Sequence, residues 1–284
     1  MRLVSYESNG TVCAGLQSAS LDTIYPLARL GYPDTLAFLT AGAEAWEAAE
    51  KASASATNLI QVAEATLLAP IARPGKFLCI GLNYKDHAEE SNMALPKTPV
   101  VFTKFNNSIV GQGATVILPK LSTQPDYEAE LAIVIGKRGR NIAPTDWEEY
   151  VFGYTIVNDV SARDVQMATT QWSLGKSFDT FGPMGPAIVS KDEITDPHKL
   201  FIRLSIDGEM LQDSNTDQLV FKAPDLIAYL SSIMTLEPGD MISTGTPAGV
   251  GLGRKPQRWM KPGETMTIEI EGIGSLTNPI AAEA

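Results

Sequence analysis

The chain has 284 residues, of which 44% are hydrophobic and 19% charged, enough for one large domain plus a small one with a sizeable core. Its 33 acidic and 22 basic residues give a formal net charge of -11, which argues against nucleic acid or an anionic membrane as a partner, because such binding needs clustered lysine and arginine. The amino-terminal residues read directly as a strand, with neither a signal-peptide core nor a long apolar span, so a cytoplasmic protein is predicted.

The first part of the chain, residues 1–72, is predicted to form a small α/β cap domain. Asn9-Gly10 separates two strand-like segments and favours a hairpin turn. A helical pattern begins after Asp34, a residue type that commonly caps helix N-termini. Pro70–Gly75 reads as a linker. We therefore expect a second, main domain over residues 73–284.

The charged segment that follows the linker and a short apolar strand is predicted to be a helix carrying His87 and Glu90. These residues are three apart, so they share one face of a helix. A histidine oriented by a carboxylate is a common form of general base. The neighbouring charged residues are also consistent with an ordinary solvated helix end. Spacing alone therefore leaves both interpretations open.

The segment 126–136 is predicted to be one β-strand, because it is rich in β-branched and aromatic residues and ends at a glycine. Side chains alternate along a strand, so Glu128 and Glu130 share a face that continues with apolar residues. Two like charges beside an apolar surface are costly unless a cation lies between them. A surface strand with ordinary glutamates is the simpler alternative.

A third carboxylate follows the next predicted strand, residues 153–160, which ends in Asn158 and Asp159. Strand ends beside loops are where sites are usually built. Together with Glu128 and Glu130, Asp159 would form a cluster of oxygen ligands with no histidine or cysteine nearby. Such a set suits Mg²⁺, Mn²⁺ or Ca²⁺ better than zinc.

Several polar or cationic residues that could contribute to a site lie before or after this cluster in the sequence. Arg163 and Gln166 are three apart at a predicted helix start and share a face. Lys176 lies in a loop broken by glycine and proline, and could supply the local positive charge that an acidic protein needs to bind an anion. Lys104, within an earlier apolar strand, could either face a site or extend to solvent.

The segment 244–251 is a loop of glycine, threonine and proline that exposes backbone N–H and hydroxyl groups. Such a loop could bind a carboxylate. It lacks the Lys-Ser/Thr ending of a phosphate-binding P-loop, so no nucleotide site is predicted. Across the chain, the many short strands with few helices favour a rolled β-sandwich or barrel core.

Taken in chain order, five segments resemble the fumarylacetoacetate hydrolase family. Each segment is weak alone, but the ordered set is specific and covers about residues 74–280. The segments span residues 81–87, 126–131, 153–163, 175–179 and 244–250. The resemblance implies an α+β, mainly β fold: a mixed β-sandwich roll with a small N-terminal α/β cap domain. It also implies a homodimer with Mg²⁺ or Mn²⁺ at the mouth of the roll.

The resemblance also assigns roles to residues of this chain. The implied metal ligands are Glu128, Glu130 and Asp159. The implied catalytic residues are a dyad on a lid and a lysine, which are His87, Glu90 and Lys176. The implied substrate-contacting residues are Arg163, Gln166, Gly245 and Thr246.

The implied activity is that of bacterial acylpyruvases and 2,4-diketo-3-deoxy sugar acid hydrolases, divalent-metal-dependent enzymes that cleave a C–C bond in a 2,4-dioxo acid. Glu90 would orient His87, which draws a proton from water, and Lys176 and the metal would stabilise a pyruvate enolate. The same intermediate serves an oxaloacetate decarboxylase or another 2-oxo acid lyase or isomerase, which is the alternative. A non-catalytic, metal-stabilised binding protein is a third reading. The predicted substrate is a small 2-oxo acid.

Overall fold

Strands predominate in this fold, as the sequence predicts. The computed structural model describes residues 1–8, 10–90 and 94–284. Within them the strands are β1 (Arg2–Ser8), β2 (Thr11–Gln17), β3 (Thr23–Pro26), β4 (Ile60–Gln61), β5 (Thr66–Leu68), β6 (Phe77–Gly81), β7 (Val100–Thr103), β8 (Ile109–Val110), β9 (Val116–Leu118), β10 (Pro125–Asp126), β11 (Ala129–Ile135), β12 (Val151–Asn158), β13 (Ser161–Ala162), β14 (Gly182–Ser190), β15 (Phe201–Ile206), β16 (Glu209–Asn215), β17 (Met241–Ser243), β18 (Thr265–Ile270) and β19 (Gly274–Ala282). The α-helices are α1 (Thr35–Ala41), α2 (Ala43–Ala54), α3 (Lys85–Glu90), α4 (Trp147–Tyr150), α5 (Arg163–Gln166) and α6 (Ala223–Ile233).

These strands form a large sheet, a smaller sheet and a short pair. The large sheet runs in the order β4-β3-β2-β1-β14-β12-β11-β17-β6-β7, with β5 also paired to β1 and β8 to β14. The smaller sheet runs β16-β15-β18-β19-β9, and β10 pairs with β13. Most neighbours are antiparallel, but β8 with β14, β6 with β17 and β9 with β19 are parallel. The predicted mainly β, mixed fold is therefore confirmed.

Strand β11 lies inside the large sheet and is buried on both faces. Its odd-numbered residues pack into a core shared with the smaller sheet; these are Ala129, Leu131, Ile133 and Ile135. Its even-numbered apolar residues, Ala132 and Val134, pack into a second core that includes residues of the N-terminal segment. The alternation predicted for this strand is confirmed. Burial of both faces also explains why its sequence is almost continuously apolar.

The single strand predicted over residues 126–136 is wrong in one respect, because the structure divides it before Ala129. The Asp126 carboxylate accepts the N–H of Tyr127 at 2.9 Å, and Glu128 N donates to the side chain of Asn158 at 3.0 Å. These side chains take the backbone groups that a continuous ladder would use. Asp126 belongs to β10 instead, and Glu128 lies at the entry to β11.

The first 72 residues extend the large sheet rather than pairing only among themselves. β1 lies beside β14, with Leu3 opposite Ile188. The helices α1 and α2 contact each other, and Phe38 of α1 packs into the second core. The division into a cap domain of residues 1–72 and a catalytic domain of residues 73–284 stays a prediction.

Two local signals in this N-terminal part behave as the sequence predicts. Ser8 and Thr11 are paired where β1 turns into β2, although Asn9 of the predicted turn lies outside the described residues. The Asp34 carboxylate accepts the N–H of Ala37 at 2.8 Å and so caps α1.

One edge of the large sheet brings several strand ends together. β11 starts where β12 ends, because Ala129 is opposite Asn158 in their antiparallel ladder. β17 ends at Ser243, which is paired with Ala132 of β11 and with Cys79 near the end of β6. Side chains that follow these strand ends therefore converge at one place.

Candidate active site

Three buried carboxylates meet at this edge of the sheet. Glu128, Glu130 and Asp159 each have a carboxylate oxygen within 4.8 Å of the corresponding oxygens of the other two. The backbone explains the meeting, since Asp159 N donates to Glu128 O at 2.9 Å just beyond the β11–β12 ladder. The structure thus brings together the three residues that the sequence predicts as metal ligands.

Two lysines and an arginine contact two of these carboxylates. Lys176 Nζ lies 2.7 Å from both Glu128 Oε2 and Asp159 Oδ2. Lys104 Nζ lies 2.7 Å from the other oxygen of Asp159, and Arg163 Nη2 lies 2.7 Å from Glu128 Oε1. Burial opposes the charge of Lys176, but Asp159 and Glu128 outweigh it and raise the pKa of Lys176. Lys176 is therefore a fixed cation at neutral pH.

Glu128 and Glu130 occupy different electrostatic environments. Burial alone would raise the pKa of Glu128, but the charges of Lys176 and Arg163 lower it to about 2. Glu130 has no salt bridge to any described residue; it accepts hydrogen bonds from Ser243 Oγ at 2.5 Å and Gly245 N at 3.0 Å. Burial, and then the negative charges of Asp159 and Glu128, raise the pKa of Glu130 well above its usual value. Glu130 is the carboxylate that most needs a further cation.

The charges around the cluster fit a divalent cation. Among the described residues here, four buried carboxylates face three buried cations; these are Asp126, Glu128, Glu130 and Asp159 against Lys104, Arg163 and Lys176. One negative charge is therefore in excess, and a divalent ion would leave a net positive charge suited to an anionic substrate. Each carboxylate has about four lone-pair sites, so contact with a lysine leaves sites for a metal. Oxygen ligands of this kind suit Mg²⁺ or Mn²⁺, as predicted.

Arg163 is held in place by three polar partners. Its Nε donates to Asp126 at 2.7 Å and its Nη1 to Gln166 Oε1 at 3.0 Å, besides the contact of Nη2 with Glu128. Burial opposes its charge, but Asp126 and Glu128 outweigh burial and raise the pKa of Arg163. The same Asp126 carboxylate accepts N–H groups of Gly251 and Leu252. Because Gln166 Oε1 is taken by Arg163, the amide nitrogen of Gln166 is its remaining polar group.

His87 and Glu90 lie on α3 beside the cluster. His87 Nδ1 is 3.6 Å from Glu90 Oε2, longer than a hydrogen bond. Glu90 also accepts the N–H of Gly249 at 3.0 Å. Burial would raise the pKa of Glu90, but nearby His87 and the Gly249 N–H lower it. Asp86 of the same helix accepts the Ser214 hydroxyl at 2.6 Å, so α3 is tied to both the 244–251 loop and β16.

A cavity of about 320 Å³ opens above the carboxylates. The polar residues predicted for the site and found in its lining are His87, Glu128, Glu130, Arg163, Gln166, Lys176 and Thr246. Asp159, Gly245 and Glu90 do not line it. Asp159 is buried against Lys104 and Lys176, and Gly245 donates its N–H to Glu130. Glu90 lies beside His87, 3.6 Å from its Nδ1.

Several residues at the site are ones that the sequence analysis did not assign. Lys104 is fully buried and donates to Asp159, to Val160 O at 3.1 Å and to the carbonyl of Lys176. Gln212 donates to the Thr246 hydroxyl oxygen at 2.8 Å, which leaves that hydroxyl free to donate into the cavity. The cavity is also lined by Gly81, by Thr169 and by six apolar side chains that had no predicted role, which are Ile80, Leu82, Phe102, Met167, Trp172 and Leu252.

Comparison with known proteins relates both fold and site to one family. The family model for the fumarylacetoacetate (FAA) hydrolase C-terminal region matches residues 76–281. The mitochondrial oxaloacetate tautomerase Fahd2a of Rattus norvegicus is 50% identical over 244 residues, which cover 86% of this chain and 78% of that protein.

Two solved structures match over the full length of both chains. The fumarylacetoacetate hydrolase of the psychrophile Exiguobacterium antarcticum is 36% identical, with a TM-score of 0.87. The maleylpyruvate hydrolase of Sphingobium sp. SYK-6, in complex with manganese(II) ion and pyruvate, is 29% identical, with a TM-score of 0.84. Named activities among these similar proteins thus include both tautomerisation and hydrolysis.

The location of the protein in the cell is a separate matter. Among residues 1–8, 10–90 and 94–284, no helix combines the length and the hydrophobicity needed to cross a lipid bilayer. The rat relative is a mitochondrial protein. The cytoplasmic location that the sequence predicts for this chain stays a prediction.

Proposed function

This chain belongs to the fumarylacetoacetate hydrolase family, and on that basis we propose that it catalyses keto–enol tautomerisation of a small 2-oxo acid, with oxaloacetate as the first candidate. The observation that carries this proposal is the 50% identity to an oxaloacetate tautomerase over 86% of the chain. It favours the alternative expected from the sequence, a 2-oxo acid isomerase, over the primary expectation of a C–C bond hydrolase.

Tautomerisation needs one proton to leave C3 and one to arrive on the C2 oxygen, so no water is consumed. A divalent ion held by Glu128, Glu130 and Asp159 would supply Lewis-acid stabilisation of negative charge on that oxygen. Lys176, a fixed cation on the cavity floor, stabilises the same charge. Arg163 is committed to Asp126, Gln166 and Glu128, so its role is to fix the Gln166 amide and the local field.

His87 is the group we assign to proton transfer at C3. It lines the cavity, and its Nδ1 faces Glu90 at 3.6 Å. Neither ring nitrogen makes a hydrogen bond with the described residues; Nδ1 is buried beside Glu90, so we assign Nε2 to the substrate. Glu90, held by the Gly249 N–H, orients the ring. Gln166 and Thr246 each have a free donor for the substrate carboxylate.

The proposed activity is tested by following the enol of oxaloacetate by its ultraviolet absorbance. We expect the protein with Mg²⁺ or Mn²⁺ to accelerate conversion between enol and keto forms, and a chelator to remove the acceleration. In deuterated water, ketonisation should place deuterium at C3 without loss of CO₂. Failure to accelerate the interconversion, in a preparation that cleaves acylpyruvates, would refute the proposal.

Hydrolysis of a C–C bond is the second candidate, because a His87–Glu90 pair beside the cavity could also activate water. The two reactions differ in their use of solvent oxygen. Hydrolysis of an acylpyruvate in ¹⁸O-labelled water places the label in the acid that is released, whereas tautomerisation forms no bond to solvent oxygen. Oxaloacetate decarboxylation is recognised by CO₂ release.

We predict that His87→Ala lowers kcat for oxaloacetate tautomerisation by about 10²–10⁴-fold, the usual contribution of a positioned acid–base group. The affinity for Mn²⁺, measured by calorimetry, should stay within about twofold, because His87 is not in the carboxylate cluster. Glu89→Ala is the matched control, since Glu89 is an exposed residue of the same helix. A His87→Ala protein with the parent rate would remove the proposed role of His87.

Two further expectations from the sequence are proposed here rather than shown. The partner is a small 2-oxo acid, with no part for nucleic acid or membrane. We also propose a homodimer, and the molar mass in solution from light scattering tests it: a monomer at all concentrations would contradict the expectation.

A further inference from the structure

The cavity has two chemically different parts. Its polar floor is formed by Glu128, Glu130, Arg163 and Lys176. Its apolar wall is formed by six residues that the sequence analysis did not assign to the site: Ile80, Leu82, Phe102, Met167, Trp172 and Leu252. Among the described lining residues, the lysine and the arginine both belong to the floor and are paired with buried carboxylates. A substrate group that reaches the wall therefore meets no free cation there.

The aromatic part of this wall is built into the fold. The Trp172 indole lies directly on the backbone of Gly81, where an added Cβ would come within 2.3 Å of the ring. Trp172 and Phe102 make an edge-to-face contact, with ring centroids 5.7 Å apart and an interplanar angle of 67°. The centroid of the Phe102 ring also lies 4.9 Å from Lys176 Nζ. The aromatic pair thus adjoins the floor at a fixed position.

Leu82 is also held in an unusual backbone conformation. Its φ is +55°, in the left-handed region that leucine rarely adopts. The next residue fixes this turn, because the buried Asn83 amide donates to the carbonyls of Phe221 and Thr244 and accepts the N–H of Phe221. Conformations of this kind persist where the surrounding structure enforces them, often at binding sites. The wall is therefore held in place from both sides of the β6–α3 turn.

Oxaloacetate makes little use of such a wall, because all four of its carbons carry or adjoin polar oxygen atoms. We propose that the site also accepts 2-oxo acids with an aromatic group on C3, the arylpyruvates, and interconverts their keto and enol forms. The 2-oxo acid head group would lie on the polar floor and the aryl ring against Trp172 and Phe102. The step is the same isomerisation, in which a proton leaves C3 and a proton arrives on the C2 oxygen. This inference rests on the proposed tautomerase function and deepens it.

Phenylpyruvate is the probe that tests this inference. We expect the protein with Mg²⁺ to accelerate its enol–keto interconversion, followed by the absorbance of the enol, alongside oxaloacetate. Trp172→Ala should lower the ratio of kcat/KM for phenylpyruvate to kcat/KM for oxaloacetate by about tenfold, whereas Trp172→Phe should keep most of the preference. Leu174→Ala is the matched control, since Leu174 is in the same segment, is 70% exposed and does not line the cavity.

The outcomes separate this inference from the proposed function. A protein that converts oxaloacetate but neither converts phenylpyruvate nor is competitively inhibited by it overturns the inference alone. An unchanged ratio in Trp172→Ala also overturns it, because the wall would then not recognise the ring. Conversion of phenylpyruvate without conversion of oxaloacetate supports the aromatic class and removes oxaloacetate as substrate. If the parent protein converts neither oxaloacetate nor phenylpyruvate, the proposed function and this inference are both refuted.

Discussion

Glu130→Gln should abolish divalent-metal binding while leaving the metal-free protein at least as stable as the parent. Glu130 has no salt bridge among the described residues, and burial and the charges of Asp159 and Glu128 raise its pKa. A neutral amide therefore removes like-charge repulsion from the metal-free state. The same substitution removes one of the three converging carboxylate ligands. It should therefore weaken metal binding without destabilising the metal-free protein.

The expected loss of metal affinity can be estimated from the effect of residues that hydrogen-bond to a metal ligand without binding the metal themselves. Loss of a residue that only orients a ligand costs about 10–100-fold in metal affinity, so loss of the ligand itself should cost more than about 100-fold. Because tautomerisation depends on stabilised charge at the C2 oxygen, kcat should fall by about 10³-fold. Calorimetric titration with Mn²⁺ measures the metal affinity, and the oxaloacetate enol assay measures kcat.

Graded controls make this result specific. Ser243→Ala removes the hydroxyl that donates to Glu130 at 2.5 Å. This substitution should lower the affinity for Mn²⁺ by about 10–100-fold. Glu89→Gln removes an exposed carboxylate from α3 and should leave both quantities unchanged. Mn²⁺ should raise the melting temperature of the parent protein and of Glu89→Gln, but not that of Glu130→Gln. Parent-like metal affinity in Glu130→Gln would show that the cluster is not the metal site.

The parts of the site that the sequence predicts are those fixed by local geometry. Glu128, Glu130 and Asp159 could be grouped because strand alternation and a strand end are readable from the residues themselves. His87 and Glu90 are three apart on one short helix, so their proximity is also local. For both groups the residues themselves indicated a possible role, the resemblance to the family assigned that role, and the structure supplies the distances.

The parts that the sequence analysis did not resolve depend on contacts between distant segments. For Lys104 the sequence could not decide between a side chain that faces a site and one that extends to solvent, because its partner Asp159 is 55 residues away. The break between Asp126 and Ala129 depends on Asn158, which accepts the Glu128 N–H from 30 residues further along the chain, and Asp126 itself is held by Gly251 and Arg163. Trp172 could not be placed on the cavity wall, since it packs on the backbone of Gly81, which is at the end of β6 and distant in the sequence. None of these pairings leaves a periodic signal in the sequence.

Lys104→Met is the second change for which we expect a large effect, this time on stability. The side chains of Lys104 and Asp159 are both fully buried, with 0% exposure each, and their charged atoms are 2.7 Å apart. Removing one partner of a buried ion pair typically costs about 3–5 kcal/mol, because the other charge is left uncompensated. The substitution also leaves the carbonyls of Val160 and Lys176 without their donor.

Lys137→Met provides the comparison for an exposed pair. Lys137 and Glu149 are 3.2 Å apart, with side chains 54% and 67% exposed, so we expect a loss of only about 0–1 kcal/mol. The free energy of unfolding of each metal-free variant is measured by urea titration. A loss below about 1 kcal/mol for Lys104→Met would mean that Asp159 is sufficiently compensated by Lys176 alone.

A double-mutant cycle separates the ion pair from the packing of the lysine stem. Asp159→Asn removes the charge that Lys104 neutralises, so Lys104→Met should cost less in that background than in the parent protein. A coupling energy of about 2 kcal/mol or more would show that the loss of stability comes from the Lys104–Asp159 ion pair, since residues in direct contact couple by about 0.5–3 kcal/mol. Because Lys104 also donates to the carbonyl of Lys176, Lys104→Met should lower kcat as well. Lys137→Met should not lower it, because Lys137 contacts neither the carboxylate cluster nor the cavity.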